Sequence, residues 1–207
     1  KNQIGLFANP EMVLVDTNYL ETVTPREIRS GTAEIIKYGL TYDVSLYEKI
    51  KNSNNLDITK LIHRSIEIKN EVVLEDPKEQ HLRKILNFGH TIGHAIESYF
   101  LESEQKENLT HGEAIAIGMV CESFLSSQLL GFPKAELDNI KQVVLSIYGK
   151  TEIEKGDFDA ILRYLKHDKK NVGGQVNFVL LTALEQTNIH CKVATEKIIE
   201  SIQFYNS

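Results

Sequence analysis

Two imidazoles stand four residues apart in the stretch Asn87-Phe88-Gly89-His90-Thr91-Ile92-Gly93-His94-Ala95-Ile96-Glu97, each directly after a glycine. Residues at that spacing share a helix face, so a helix through this stretch points His90 and His94 into one volume. Neutral imidazoles converging on one point are metal ligands. Arg83 and Asn87 continue the same stripe, at spacings of four and three before His90. The segment is otherwise built of Leu82, Ile85, Leu86, Phe88, Ile92, Ala95 and Ile96. Polar groups in register on an apolar helix are costly unless they are hydrogen-bonded or bind something. The plain alternative is a buried helix with satisfied histidines, because HxxxH spacing by itself is common. Gly89 and Gly93 are poor helix formers, and predict that another backbone or a ligand comes close.

Other residues widen the set. His111 falls in the first turn of a helix opened by Thr110-His111-Gly112-Glu113, where the helix dipole disfavours imidazolium and leaves a neutral ligand. Glu34 and Lys37, three apart in a largely apolar helix, share a face. Lys69 falls on or beside an apolar stripe, where it either snorkels to water or meets a partner. The Lys169-Lys170 pair before Gly173-Gly174 is a solvated loop or a phosphate contact. From residue types alone, a metal site of His90, His94, His111 and a carboxylate such as Glu34 is open. Three protein ligands with an open position mark a catalytic zinc, and Arg83, Lys69 and Lys37 suit an anionic substrate.

The elements that must position these groups are mostly helices. Thr24-Pro25-Arg26-Glu27 combines an N-cap, a proline at the first helical position and a capping box, and predicts a helix to about Tyr38 that stops near Gly39. A short helix follows over Asp43–Ile50, and Asp57 caps a long one. Asp76-Pro77-Lys78-Glu79 reads as another helix start, carrying the stripe through Arg83 to His94. Ala114–Leu130 is almost wholly apolar and predicts a core helix, followed by helices over Lys134–Tyr148, from Asp157 through Leu165, and over Ala194–Phe204. Met12–Asp16 reads as a buried strand and Val176–Leu181 as a second strand. The fold class is mainly α, multihelical, with a small β component.

Composition narrows the function classes. The 207 residues are 42% hydrophobic and 25% charged, enough for one sizeable core. A formal net charge of -6 argues against nucleic-acid binding through a basic surface. No uninterrupted apolar run reaches the ~20 residues of a membrane span and no signal peptide opens the chain. Cys121 and Cys191 form no CxxC spacing and read as small core residues. A cytoplasmic setting follows. The start, Lys1-Asn2-Gln3 without an initiator methionine, reads as cut from a longer protein.

The strings AEIIKYGL, LRKILNFGHTIGHAIE, HGEAIAIGM and DKKNVGGQVNFVLL resemble, in order and approximate spacing, the C-terminal, mostly helical half of 3-dehydroquinate synthase, the shikimate-pathway family. The resemblance implies that residues 1–22 end a linker from an N-terminal α/β domain carrying most of the NAD site, and that residues 23–207 are the helical metal- and substrate-binding domain. It implies Zn2+ (or Co2+) on Glu34, His90 and His111, which moves His94 from the metal to the substrate phosphate. Lys69 and Arg83 become the grip on the substrate carboxylate, Lys37 and Asn87 partners of hydroxyls and carboxylate, and Glu79 an active-site glutamate of open role. Asn2 and one of Lys169 and Lys170 join the phosphate contacts. The implied partner is a phosphorylated sugar acid, with NAD as cofactor and a homodimer as the full-length assembly. The implied reaction converts 3-deoxy-D-arabino-heptulosonate 7-phosphate into 3-dehydroquinate and phosphate. Rival readings are another sugar-phosphate cyclase of the superfamily and a non-catalytic helical module.

Overall fold

The computed structural model describes residues 11–52, 56–167 and 176–207. Helix α1 (Pro25–Thr41) opens as its residues dictate: the Thr24 side chain accepts from the Glu27 N–H, and Glu27 accepts from the Thr24 N–H. It runs past Gly39, because that glycine is where α2 (Val44–Asn52) packs back: a Cβ there would stand 2.5 Å from the Tyr47 backbone nitrogen. Asp57 caps α3 (Ile58–Glu75) by accepting from the Lys60 N–H.

The segment after α3 departs from the sequence reading. Asp76 ends α3 rather than starting a helix. Its buried carboxylate accepts the backbone N–H groups of Gln80 (2.9 Å), His81 (2.7 Å) and Arg83 (3.1 Å), winding the chain into a turn. A 3₁₀ helix, Leu82–Asn87, follows, and Gly89 at φ +77° breaks it from α4 (His90–Glu102). That φ is costly for any residue with a Cβ. Arg83 and Asn87 therefore share no continuous helix with His90 and His94. The expected stripe is two pieces joined at a left-handed glycine.

Helix α5 (His111–Leu130) is the axis of the core, packed against α1, α4, α6 (Lys134–Tyr148), α8 (Thr195–Asn206) and strand β1 (Phe178–Ala183). It is long and apolar enough to cross a bilayer, but its faces are taken by these neighbours. Cys121 is buried within it. It approaches α4 closely, where a Cβ on Gly118 would stand 2.0 Å from the Gly89 carbonyl oxygen and 2.7 Å from the Gly93 nitrogen. The backbone that Gly89 and Gly93 admit is thus α5. Helix α7 (Phe158–His167) lies on α4. Asp157, expected to cap it, instead accepts from the Glu154 N–H, the Tyr99 hydroxyl and Lys106.

The sheet is small. β1 pairs antiparallel with β2 (Gln186–Cys191), with Leu180 opposite Asn188. The N–H of Glu185 in the connecting turn donates to the Leu40 carbonyl (2.9 Å), tying the hairpin to the end of α1. Met12–Asp16 is not a buried strand. Met12 is 77% and Leu14 84% exposed, and an extended segment with no strand to pair with makes no ladder.

Candidate metal centre

Three helices bring the site together. Glu34 comes from α1, His90 and His94 from the first turns of α4, and His111 from the first position of α5. The start of α5 is fixed twice. Thr110 and Glu113 form a capping box, with Arg26 of α1 donating to both oxygens of Glu113 at 2.8 Å. One turn before Glu34, Ser30 accepts the Gly112 N–H at 3.0 Å, and a Cβ on Gly112 would meet the Ser30 carbonyl oxygen at 1.9 Å. The backbones of α1 and α5 are in contact at the site.

The three imidazoles form a triangle, with ring centroids 5.1 Å apart for His90–His94 and 5.6 Å for each of the other two pairs. One ligand-capable atom from each lies within 4.8 Å of the others. Glu34 lies against two of them: its Oε1 is 3.2 Å from His90 Nε2 and 3.8 Å from His111 Nε2. Its Oε2 accepts from the buried Lys37 ammonium at 2.6 Å. Oε1 is buried and accepts no hydrogen bond.

The far nitrogens of the two rings are tied. His90 Nδ1 donates to the Phe88 carbonyl (3.0 Å), and His111 Nδ1 to the Glu97 carboxylate (3.1 Å). With the protons on Nδ1, both Nε2 lone pairs face the Glu34 oxygen, an arrangement only a proton or a cation reconciles. Ligands ~2.1 Å from a tetrahedral ion stand ~3.4 Å apart, close to the 3.2 and 3.8 Å observed. The donor set fits a divalent metal.

The electrostatics agree. Burial pushes the Glu34 carboxyl up, but the imidazoles of His111 and His90 and the charge of Lys37 outweigh it and hold the group well below the usual carboxylate range. Burial pushes His90 below an ordinary imidazole against the pull of Glu34. At the more open His111, the neighbouring carboxylates of Glu34 and Glu97 outweigh burial and raise it. Metals compete with protons for such groups.

The remaining residues divide. Asn87 donates to Glu79 Oε1 at 2.7 Å, with Glu79 held at φ +54°. The Arg83 guanidinium donates to the Pro77 carbonyl at 3.1 Å. Lys69 is exposed on α3 and lines, with Glu34, an apolar cleft of about 270 Å³ between α1 and α3 that also takes in Ile28, Ile35 and Ile62. Asn2, Lys169 and Lys170 lie outside the described residues. Glu97 and Glu122 were missed by sequence reasoning. Glu97 is one turn after Gly93 and on the same helix as the histidines. Glu122 is the only charge in the apolar run Ala114–Leu130, a signal in itself.

These features define a class: a multihelical domain with a histidine–carboxylate cluster, fit for a divalent metal, where three helices meet. The family model for 3-dehydroquinate synthase C-terminal matches residues 31–171, and the chain belongs to that family. It is 40% identical over 210 residues to a 3-dehydroquinate synthase of Parabacteroides distasonis, covering 99% of this chain and 59% of that protein. It is also 40% identical to one of Synechococcus sp., covering 98% and 57%. The chain thus spans under three-fifths of these relatives' length. Among solved structures, the 2-epi-5-epi-valiolone synthase of Streptomyces hygroscopicus subsp. jinggangensis, with NAD+ and Zn2+ bound, superposes with a TM-score of 0.82 at 22% identity, over 100% of this chain and 58% of that one. It shares the fold. A 2-deoxy-scyllo-inosose synthase complexed with carbaglucose-6-phosphate, NAD+ and Co2+ gives 0.77 at 26% identity, over 99% and 58%.

Proposed function

We propose that this chain is the metal- and substrate-binding half of a 3-dehydroquinate synthase, acting with an N-terminal NAD-binding half on 3-deoxy-D-arabino-heptulosonate 7-phosphate. The observation that carries the reading is the buried, unbonded Oε1 of Glu34 facing Nε2 of both His90 and His111. We assign Glu34, His90 and His111 as ligands of Zn2+ or Co2+, and His94 to the substrate phosphate. Relatives at 40% identity bear the synthase name, and a solved neighbour holds NAD+, Co2+ and a sugar-phosphate analogue.

When bound, the metal supplies Lewis-acid polarisation of a substrate oxygen, and NAD carries the hydride chemistry. This chain's own side chains bind and orient. Lys69, exposed in the cleft beside Glu34, and Arg83 grip the substrate carboxylate, the guanidinium as a fork and the ammonium as a point charge. Asn87, oriented by Glu79, and Lys37 meet substrate hydroxyls and carboxylate. Asn2 with Lys169 or Lys170 completes the phosphate contacts. Holding a flexible sugar in one pose supplies orientation. Overall, phosphate leaves by elimination and an intramolecular aldol closes the carbocycle, which makes the enzyme a carbon–oxygen lyase.

The test is turnover by this chain rejoined to an N-terminal half from a relative. Consumption of the heptulosonate phosphate with release of phosphate is the expected result. Turnover of a different sugar phosphate in its place overturns the substrate assignment in favour of another cyclase. The chain alone is expected to show negligible turnover and little NAD binding. The rejoined enzyme is expected to sediment as a homodimer.

A further inference from the structure

We propose that Glu122, in the middle of α5, is a positioning residue for His90, acting through the Phe88–Gly89 peptide bond. The inference rests on the metal reading of the cluster and adds a residue to it. Helix α4 begins at His90 with Gly89 as its N-cap, so the cap has no side chain to satisfy the first free N–H groups. Glu122 accepts two of them from the neighbouring helix. Its side chain is fully buried, Oε2 accepting the Gly89 N–H at 2.7 Å and Oε1 the Ile92 N–H at 3.1 Å. A buried carboxylate is costly unless it is hydrogen-bonded, and here it also meets the positive end of α4.

The Gly89 N–H and the Phe88 carbonyl are two ends of one planar unit. The carbonyl end accepts His90 Nδ1 at 3.0 Å. Glu122, peptide and imidazole therefore form a chain: the carboxylate fixes the tilt of the peptide plane, and the plane fixes the ring. Accepting the N–H also polarises the carbonyl, strengthening its hold on Nδ1. His111 has the same arrangement in shorter form, with Nδ1 directly on the Glu97 carboxylate. Such outer partners set ring orientation and basicity in metal sites. One turn earlier, Gly118 contacts the Gly89 carbonyl, so α5 holds this turn from both sides.

The experiment compares the 207-residue chain with its Glu122→Gln and Ser126→Ala variants. Glu122→Gln keeps the shape of the side chain but turns an amino group toward one of the two N–H donors. Ser126→Ala, on the same helix, removes the hydrogen bond accepted from the Leu181 N–H of β1 and the one donated to the Glu122 backbone carbonyl, while leaving the Glu122 carboxylate, Gly89 and Ile92 their contacts. Two readouts are taken: Co2+ affinity from its visible absorption, and the ¹⁵N shifts of the His90 ring in metal-free protein. For Glu122→Gln the expected result is a loss of Co2+ affinity of about tenfold or more with moved His90 shifts. Ser126→Ala is expected to lower Tm while leaving both readouts in place. Unchanged affinity and shifts in Glu122→Gln overturn the inference. If the parent chain binds no Co2+, the metal reading falls, and the His90 shifts alone decide the role of Glu122. Should Glu122→Gln not fold, hydrogen exchange in the parent decides. By reciprocity of coupling, Zn2+ should slow exchange at Gly89 and Ile92 more than at Leu145 in α6, and equal effects overturn the proposal.

Discussion

The two sides of α1 are built on opposite plans. Toward α5, backbone meets backbone where Gly112 lies on Ser30, and polar groups are caught between the two helices. Toward α3, the same helix borders an open apolar cleft with Lys69 at its edge and no backbone contact of that kind at Gly31. The three histidines belong to the closed side, the carboxylate grip assigned to Lys69 to the open one, and Glu34 borders both. Under the proposed assignment, the rigid side carries the metal ligands and the open side admits the substrate.

The sharpest break of this contrast is in metal content. His111→Ala or His90→Ala should fall from about one zinc per chain to none, whereas Lys69→Ala on the cleft side should keep it, read by elemental analysis of the folded protein. His94→Ala should also keep its metal. Loss there would place His94 among the ligands.

Next in size are two glycines given the same methyl group. Gly118→Ala drives a Cβ into the Gly89 carbonyl and should cost about 1–3 kcal/mol of overpacking strain, with weakened metal binding. Gly31→Ala on the exposed side of α1 meets nothing within 4 Å and should stabilise by about 0.5–1 kcal/mol through helix propensity. Denaturant unfolding of both variants measures the opposite signs. Like signs would mean the two sides of α1 are not built differently.

The smallest effect is in acid. Burial pushes the Asp76 carboxyl up, but the N–H groups of Gln80, His81 and Arg83 outweigh it and hold it below its usual value. A depressed folded-state pKa means stability fully present above the unfolded value of about 3.9 and lost as pH falls through the folded one. Asp76→Asn should therefore flatten the decline of Tm between about pH 4 and pH 2. An unaltered acid slope would show that the turn carrying Glu79 and Arg83 is held by other contacts.

Much of this was legible in the residues. The boxes at Thr24 and Thr110, the cap at Asp57 and the apolar run of α5 are local signals with local causes, and the structure follows them. Glu34, His90, His94 and His111, the set left open by residue types alone, do converge. The failures have separate causes. Asp76-Pro77 has the letters of a helix start, yet its carboxylate is taken up by three amides further on. Gly89 breaks the stripe because Gly118 and Glu122 of α5 receive it there. Met12–Asp16 has strand composition and no strand beside it. β2, with its alternating exposed residues Gln186, Asn188 and His190, carries too little apolar content to announce itself. Asn2 and the Lys169-Lys170 pair lie outside the described residues.

The contact of Gly118 with Gly89 has one more consequence, and it concerns tolerance. Spacing between two helices usually depends on the volumes of the side chains stacked between them, so each core substitution passes its error on to whatever the helices carry. Here main chain rests on main chain, and the gap is set by atoms common to every residue. Ile92 or Ile96 exchanged for aliphatic alternatives should cost stability while the offset between His90 and His111 is preserved. The site is insulated from the drift of its own core.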